Sequence, residues 1–210
     1  MNPTPPTMSV TTGAPRTLLY IKSSSGDFSD ELRVLDLGGS IKLTSFQDFD
    51  VKETYKQIEQ AAKEREHDSN AWSYQMNRGA LSAVLNIHDC TEGGRVVAEL
   101  NMSILKHYGT WKLSFTQTSQ FGTEVIDVTP VSLLKKQERF TVGSSSYMWD
   151  MTMGGGCGVL YKMIDGKQEQ VGEFVAKSWF KNSCALMLDT DEVDELVGLA
   201  TCVAALNRDI

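Results

Sequence analysis

The sequence is poor in the residues that build metal centres and covalent cross-links. Its 210 residues include four cysteines and three histidines. No two of Cys90, Cys157, Cys184 and Cys202 are spaced as a CxxC pair. A structural zinc site needs several soft ligands in close register, so the cysteines read as free thiols and no metal is expected. Free thiols belong to a reducing compartment. The opening "MNPTPPTMSVTTGAPRT" also has proline and threonine where a secretory signal needs an apolar core, so a cytoplasmic location is expected. No run approaches the roughly 18 apolar residues of a membrane span. Positive charge is scarce as well: 20 Lys and Arg against 27 Asp and Glu give a formal net charge of −7. That balance repels the phosphate backbone and anionic lipid, so nucleic acid is excluded as a partner and membrane binding is disfavoured. The densest basic cluster, Lys135, Lys136 and Arg139, reads as a solvated strand end.

What the sequence does have is a period of two. Residues 1–16 read as a disordered tail. After it come short alternating stretches, "TLLYIK" (17–22), "ELRVLDL" (31–37) and "IKLTSF" (41–46), separated by Ser, Gly and Asp turns. Ten more follow at about 81–87, 95–101, 110–116, 124–128, 131–135, 138–142, 146–153, 157–164, 170–177 and 184–188. Many short strands with close turns and no strand–helix–strand alternation predict an antiparallel barrel or sandwich. One insert, residues 51–80, breaks the pattern. Val51, Tyr55, Ile58 and Ala62 recur at helical spacing behind a capping-box arrangement of Asp50 and Glu53, so 51–66 is predicted to be an amphipathic surface helix. "HDSNAWSYQMNRG" (67–79) reads as a long polar loop.

The last segment has another character. Asp189, Thr190 and Asp191 offer N-caps before "EVDELVGLATCVAALNRDI". Val193, Leu196, Val197, Leu199, Ala200, Cys202, Val203, Ala204, Ala205 and Leu206 then occupy every side of a helical wheel. A helix apolar all round must be surrounded by protein. The predicted fold is therefore mainly β: a closed antiparallel barrel of about twelve strands around a buried C-terminal helix (190–208), in a single domain from 17 to 210.

Four stretches carry a family resemblance: "RVVAEL" (95–100), "RFTVGSSSYMW" (139–149), "VGEFVA" (171–176) and "ATCVAALNR" (200–208). Through them residues 95 to 208 resemble small tubby-like proteins of mushroom-forming fungi, within the tubby C-terminal-like group that also holds phospholipid scramblases and plant LURP-one-related proteins. The resemblance implies the barrel-and-helix fold. It also implies a non-enzymatic carrier of a small aromatic or apolar molecule, most concretely a mushroom fruiting-body chromoprotein with an organic, indolone-like chromophore. The tubby and scramblase kinship implies an alternative, a phosphoinositide-binding membrane adaptor, for which no matching basic motif is present. A ligand-free interaction protein, forming a homodimer through exposed aromatics, is the third reading.

The chemistry-bearing residues fit these readings unevenly. In "YMWDMTMGGGCGVLYKM" (147–163) Tyr147, Trp149, Met151 and Met153 alternate onto one strand face, as do Cys157, Val159, Tyr161 and Met163 after the turn. Gly154–Gly156 is then a hairpin turn and not a phosphate loop, which would have to open a helix. Cys157 has no local base; His88 and Cys90 in "NIHDC" would share a strand face and could form a dyad or two of several metal ligands, but a strand-end histidine beside a buried thiol is the plainer reading. The acidic pairs Asp191/Glu192 and Asp194/Glu195 suit a helix start. No enzyme is expected. A planar ligand wants aromatic faces and sulfur around it, so Trp72, Tyr74, Trp111, Tyr147, Trp149 and Trp179 are the candidate binding residues, with Cys157 as a covalent anchor. Trp72 and Tyr74, in an otherwise polar stretch, could form a lid; the plainer role for Trp72 is to pin that stretch to the barrel.

Overall fold

Alternating apolar residues in successive short strands need one shared interior. The chain supplies it by rolling a sheet around its own last helix. The computed structural model describes residues 10–12, 15–24, 31–41, 45–46, 51–78, 83–103, 110–116, 124–132, 136–152, 156–176 and 183–207. Within them the strands are β1 (Val10–Thr12), β2 (Thr17–Ser23), β3 (Leu32–Asp36), β4 (Trp72–Arg78), β5 (Val84–Asp89), β6 (Arg95–Ser103) and β7 (Thr110–Phe115). They continue with β8 (Val125–Pro130), β9 (Gln137–Val142), β10 (Ser145–Asp150), β11 (Cys157–Ile164), β12 (Lys167–Ala176) and β13 (Ser183–Leu188). The helices are α1 (Val51–Arg65) and α2 (Glu195–Leu206).

From β2 to β13 each strand pairs antiparallel with the next, and β13 also pairs with β2, which closes a twelve-stranded barrel. Strand β12 is long enough to have two partners along one edge. Its second half pairs with β13 from Gly172↔Leu188 onward, while its first half pairs in parallel with β1, Val10 opposite Gln168. An uncovered overhang would leave a row of backbone groups unpaired, and the β-branched Val10-Thr11-Thr12 run fills it. The reading of residues 1–16 as a disordered tail is corrected to that extent.

Helix α2 lies inside. Val197 through Ala205 are all buried, against Leu19, Ile21, Met76, Ile87, Leu100 and Trp111 from the strands around them. Small residues let the wall approach the axis: a Cβ built on Gly198 would lie 2.5 Å from Leu188 Cδ1, which explains a glycine in mid-helix. The helix is capped by Asp194, whose side chain accepts from Val197 N, so it begins several residues after the expected Asp189–Asp191. Asp189 instead shapes the preceding turn, accepting from Arg16 Nε at 3.2 Å.

Helix α1 covers part of the outer face. Tyr55, Ile58 and Ala62 pack on Leu18, Tyr20, Leu35, Val175, Ala185 and Met187, and Tyr55 reaches the carbonyl of Ser183 at 3.0 Å. Apolar residues on both faces of β2 and β13 follow from this cover: β13 is buried at all of its positions. Three other expectations are corrected. Residues 41–46 form no strand where they are described. Residues 67–78 are not a loop throughout: a 3-10 turn, Ser69–Ala71, is followed by β4, where Met76 and Tyr74 pack on the core and the alternating polar positions are partly exposed. Strand β8 runs on to Pro130, and Val131 and Ser132 lie outside any strand.

Candidate ligand site

The site begins with one extra residue. Strands β3 and β4 pair Val34 with Tyr74 and Leu35 with Trp72, so Ser73 is a bulge. A bulge breaks the alternation of two, and here it sends neighbouring aromatics to opposite sides of the barrel wall. Tyr74 packs against the interior and its hydroxyl donates to Glu195 Oε1 at 3.1 Å. Trp72 packs on the outer apolar cluster beside α1. The backbone N–H of Cys90 donates to the bulge carbonyl of Ser73 at 2.9 Å, which draws the end of β5 to the same place.

Around Trp72 these elements enclose an open cavity of about 370 Å³, lined by Arg33, Glu66, His67, Trp72, Gln75 and Cys90. Arg33 comes from β3, Glu66 and His67 from the turn after α1, Trp72 and Gln75 from β4, and Cys90 from the turn after β5. The Arg33 guanidinium carbon lies 5.8 Å from the Trp72 ring centroid, within cation–π range. Gln75 Nε2 donates to Glu31 Oε1 at 3.1 Å, and Arg33 Nε and Nη2 reach the same oxygen at 3.4 Å. Glu66 is paired with Lys22. The Cys90 thiol is pushed above its ordinary range by burial and by Asp89, with Arg33 opposing. Near neutral pH it is a thiol and a weak nucleophile.

The other expected binding residues lie elsewhere. Trp111 and Trp149 are fully buried in the interior, Trp149 edge-on to Phe174. Tyr147 is buried too, stacked on Phe140 at 5.1 Å with its hydroxyl donating to Glu192 O at 2.7 Å. Cys157 sits at the far margin of the outer cluster, on β11, with its thiol raised by burial and then by Glu173. Trp179 lies outside the described residues, as does Met153. Among the described residues the expected constellation is therefore not one site: its tryptophans on β7 and β10 serve the core, and of the described candidates Trp72 lines this cavity. Trp72 belongs to strand β4 and packs on the outer cluster, so it is part of the barrel wall and not a lid. Strands β10 and β11 pair antiparallel and Gly156 has φ +84°; Gly154 and Gly155 of the expected turn lie outside the described residues.

The suspected pair of His88 and Cys90 is not joined by a hydrogen bond. His88 Nδ1 lies 3.0 Å from Gly94 O and Nε2 3.4 Å from Asn77 Oδ1, both engaged away from the thiol. Sequence reading missed Arg33, Glu66, His67 and Gln75, and no local signal marks them: strand pairing alone brings β3, β4 and the α1 turn together. A further cavity of about 350 Å³ has no aromatic residue among its described lining, Pro15, Arg16, Thr17, Leu18, Gly38, Gly39 and Ile41. Among the described residues no group of three or more His, Cys, Asp or Glu could hold a metal ion, and no helix is long and apolar enough to cross a membrane.

A scan against protein-family models and searches of curated proteins and of solved structures find no match to this chain.

Proposed function

We propose that this chain is a non-enzymatic carrier of a small planar aromatic ligand, held in the outer cavity at Trp72. The carrying observation is that Trp72, with Arg33 over its ring, forms one wall of a cavity of about 370 Å³, while the barrel interior is filled by α2. That volume falls in the range of small-molecule sites, and the lining is one aromatic face among polar and charged groups rather than the mostly apolar wall usual for such sites. A strand wall filled by its own helix leaves the exterior as the place for a ligand. The barrel around a terminal helix also supports the tubby-like kinship and, through it, the reading of the ligand as an organic pigment in a cytoplasmic mushroom protein.

The test is the natively purified protein. Absorption in the visible range, with an organic molecule recovered by solvent extraction and seen by mass spectrometry, is the expected result. Loss of that molecule on Trp72→Ala, with unchanged far-ultraviolet circular dichroism, ties it to the cavity. A colourless protein that yields no extract and binds no added arene would overturn the reading. Flotation with phosphoinositide vesicles would favour the membrane adaptor instead.

A further inference from the structure

We infer that the ligand taken at Trp72 is an aromatic acid, its ring on the indole and its carboxylate on Arg33. This rests on the proposed small-molecule role of the cavity and adds the charge of what enters it. What decides is charge and how firmly each charged group is held. Glu66, which lines the cavity, is paired with the Lys22 ammonium, and Glu31, which touches two of the lining residues, accepts on one oxygen from Gln75 Nε2 at 3.1 Å and from Arg33. A cationic ligand would have to share a carboxylate with a resident donor and lie beside the Arg33 charge.

Arg33 is the opposite case. Its side chain is 54% exposed, and its two contacts to Glu31 are both 3.4 Å long and converge on a single oxygen. Contacts of that length are at the weak end of hydrogen bonding. Its Nη1 has no acceptor among the described residues. A guanidinium is a planar fork of five donors that fits the two oxygens of a carboxylate, and such paired bonds are the strong ones. The guanidinium carbon lies 5.8 Å from the Trp72 ring centroid, so an arene that takes the indole face turns the exposed Arg33 side chain aside and keeps a ring-borne carboxylate within the fork's reach. His67 also lines the cavity and carries a ring N–H. A neutral arene would gain the indole face alone.

The experiment uses the whole protein and three probes sharing one ring system: 1-naphthoate, 1-naphthamide and 1-naphthylmethylammonium, measured by isothermal titration calorimetry. The expected result is naphthoate bound about tenfold or more tighter than the amide, with the ammonium weakest. Arg33→Gln brings the acid-to-amide affinity ratio to about one, whatever it does to the two affinities together; Arg33→Lys, which keeps charge but loses the fork, restores only part of the ratio. Equal or tighter binding of the ammonium, or a preference that survives Arg33→Gln, overturns the inference while the carrier reading stands. If none of the three binds the folded protein, both fail together.

Discussion

The indole N–H of Trp149 donates to Thr201 Oγ1 at 3.1 Å, and Thr201 in turn donates to Val197 O at 2.8 Å, so the barrel wall is fastened to the helix along its axis. Both side chains are fully buried. Thr201→Val keeps the shape and removes the acceptor, which leaves a buried donor without water or partner. The expected cost is about 1–3 kcal/mol. Urea unfolding followed by circular dichroism checks it: the midpoint falls with the slope unchanged. An unchanged midpoint would mean that the fastening contributes nothing net.

Gly198 leaves no room between helix and strand: a Cβ added there would lie 2.5 and 2.9 Å from the two methyl carbons of Leu188. Alanine would raise helix propensity by up to about 1 kcal/mol. The overlap is with a fully buried leucine, and overpacking a core costs about 1–3 kcal/mol. Packing should win, so Gly198→Ala destabilises. Adding Leu188→Val to that variant relieves the overlap and recovers part of the loss, which separates crowding from any other effect of the alanine. A stabilised Gly198→Ala would show that the wall yields there.

The four thiols divide two and two. Cys184 and Cys202 are fully buried, and burial pushes Cys184 up to about 12 and Cys202 well above its ordinary value. Cys90 and Cys157 are partly exposed, with smaller upward shifts. A disulfide reagent added to native protein should therefore titrate two thiols, slowly at neutral pH and faster as the pH rises, and reach four only in denaturant. Mass mapping should find Cys90 and Cys157 labelled. Rapid labelling of Cys202 would contradict an enclosed helix.

The terminal helix was legible because its evidence is local: Val197 to Ala205 need no distant partner to reveal that every side is apolar. The strands were legible for a related reason, since Tyr147, Trp149 and Met151 declare their common face by spacing alone. Strand β4 was not. Trp72 and Tyr74 are two residues apart and ought to share a face, and only the bulge at Ser73, fixed by pairing with β3, parts them. The candidate site was least legible of all. Its members are held together by sheet register between residues 33 and 90 and by the turn that follows α1, relationships that exist only after folding. The aromatics singled out for a ligand were mostly core because a barrel wrapped around a slim, alanine-rich helix needs large side chains from the wall to fill the space.

Glu173 gives the fold a pH dependence of definite sign. It lies on β12 between Val159 and Met187, partly buried, and loss of solvation pushes its carboxyl up to about 7 despite a bond from Gln170 Nε2 at 3.2 Å. The folded state thus holds the proton more tightly than the unfolded chain, whose value is the ordinary 4.5. The stabilisation is complete below that ordinary value and is lost as pH rises through about 7. After allowance for screening of a group still in contact with water, the loss is on the order of 1–2 kcal/mol. Glu173→Gln, neutral at every pH, should flatten the stability profile across this window and leave the variant more stable than the parent on its alkaline side. Thermal unfolding of both proteins across the range checks this, and parallel profiles would place the pH dependence in another group.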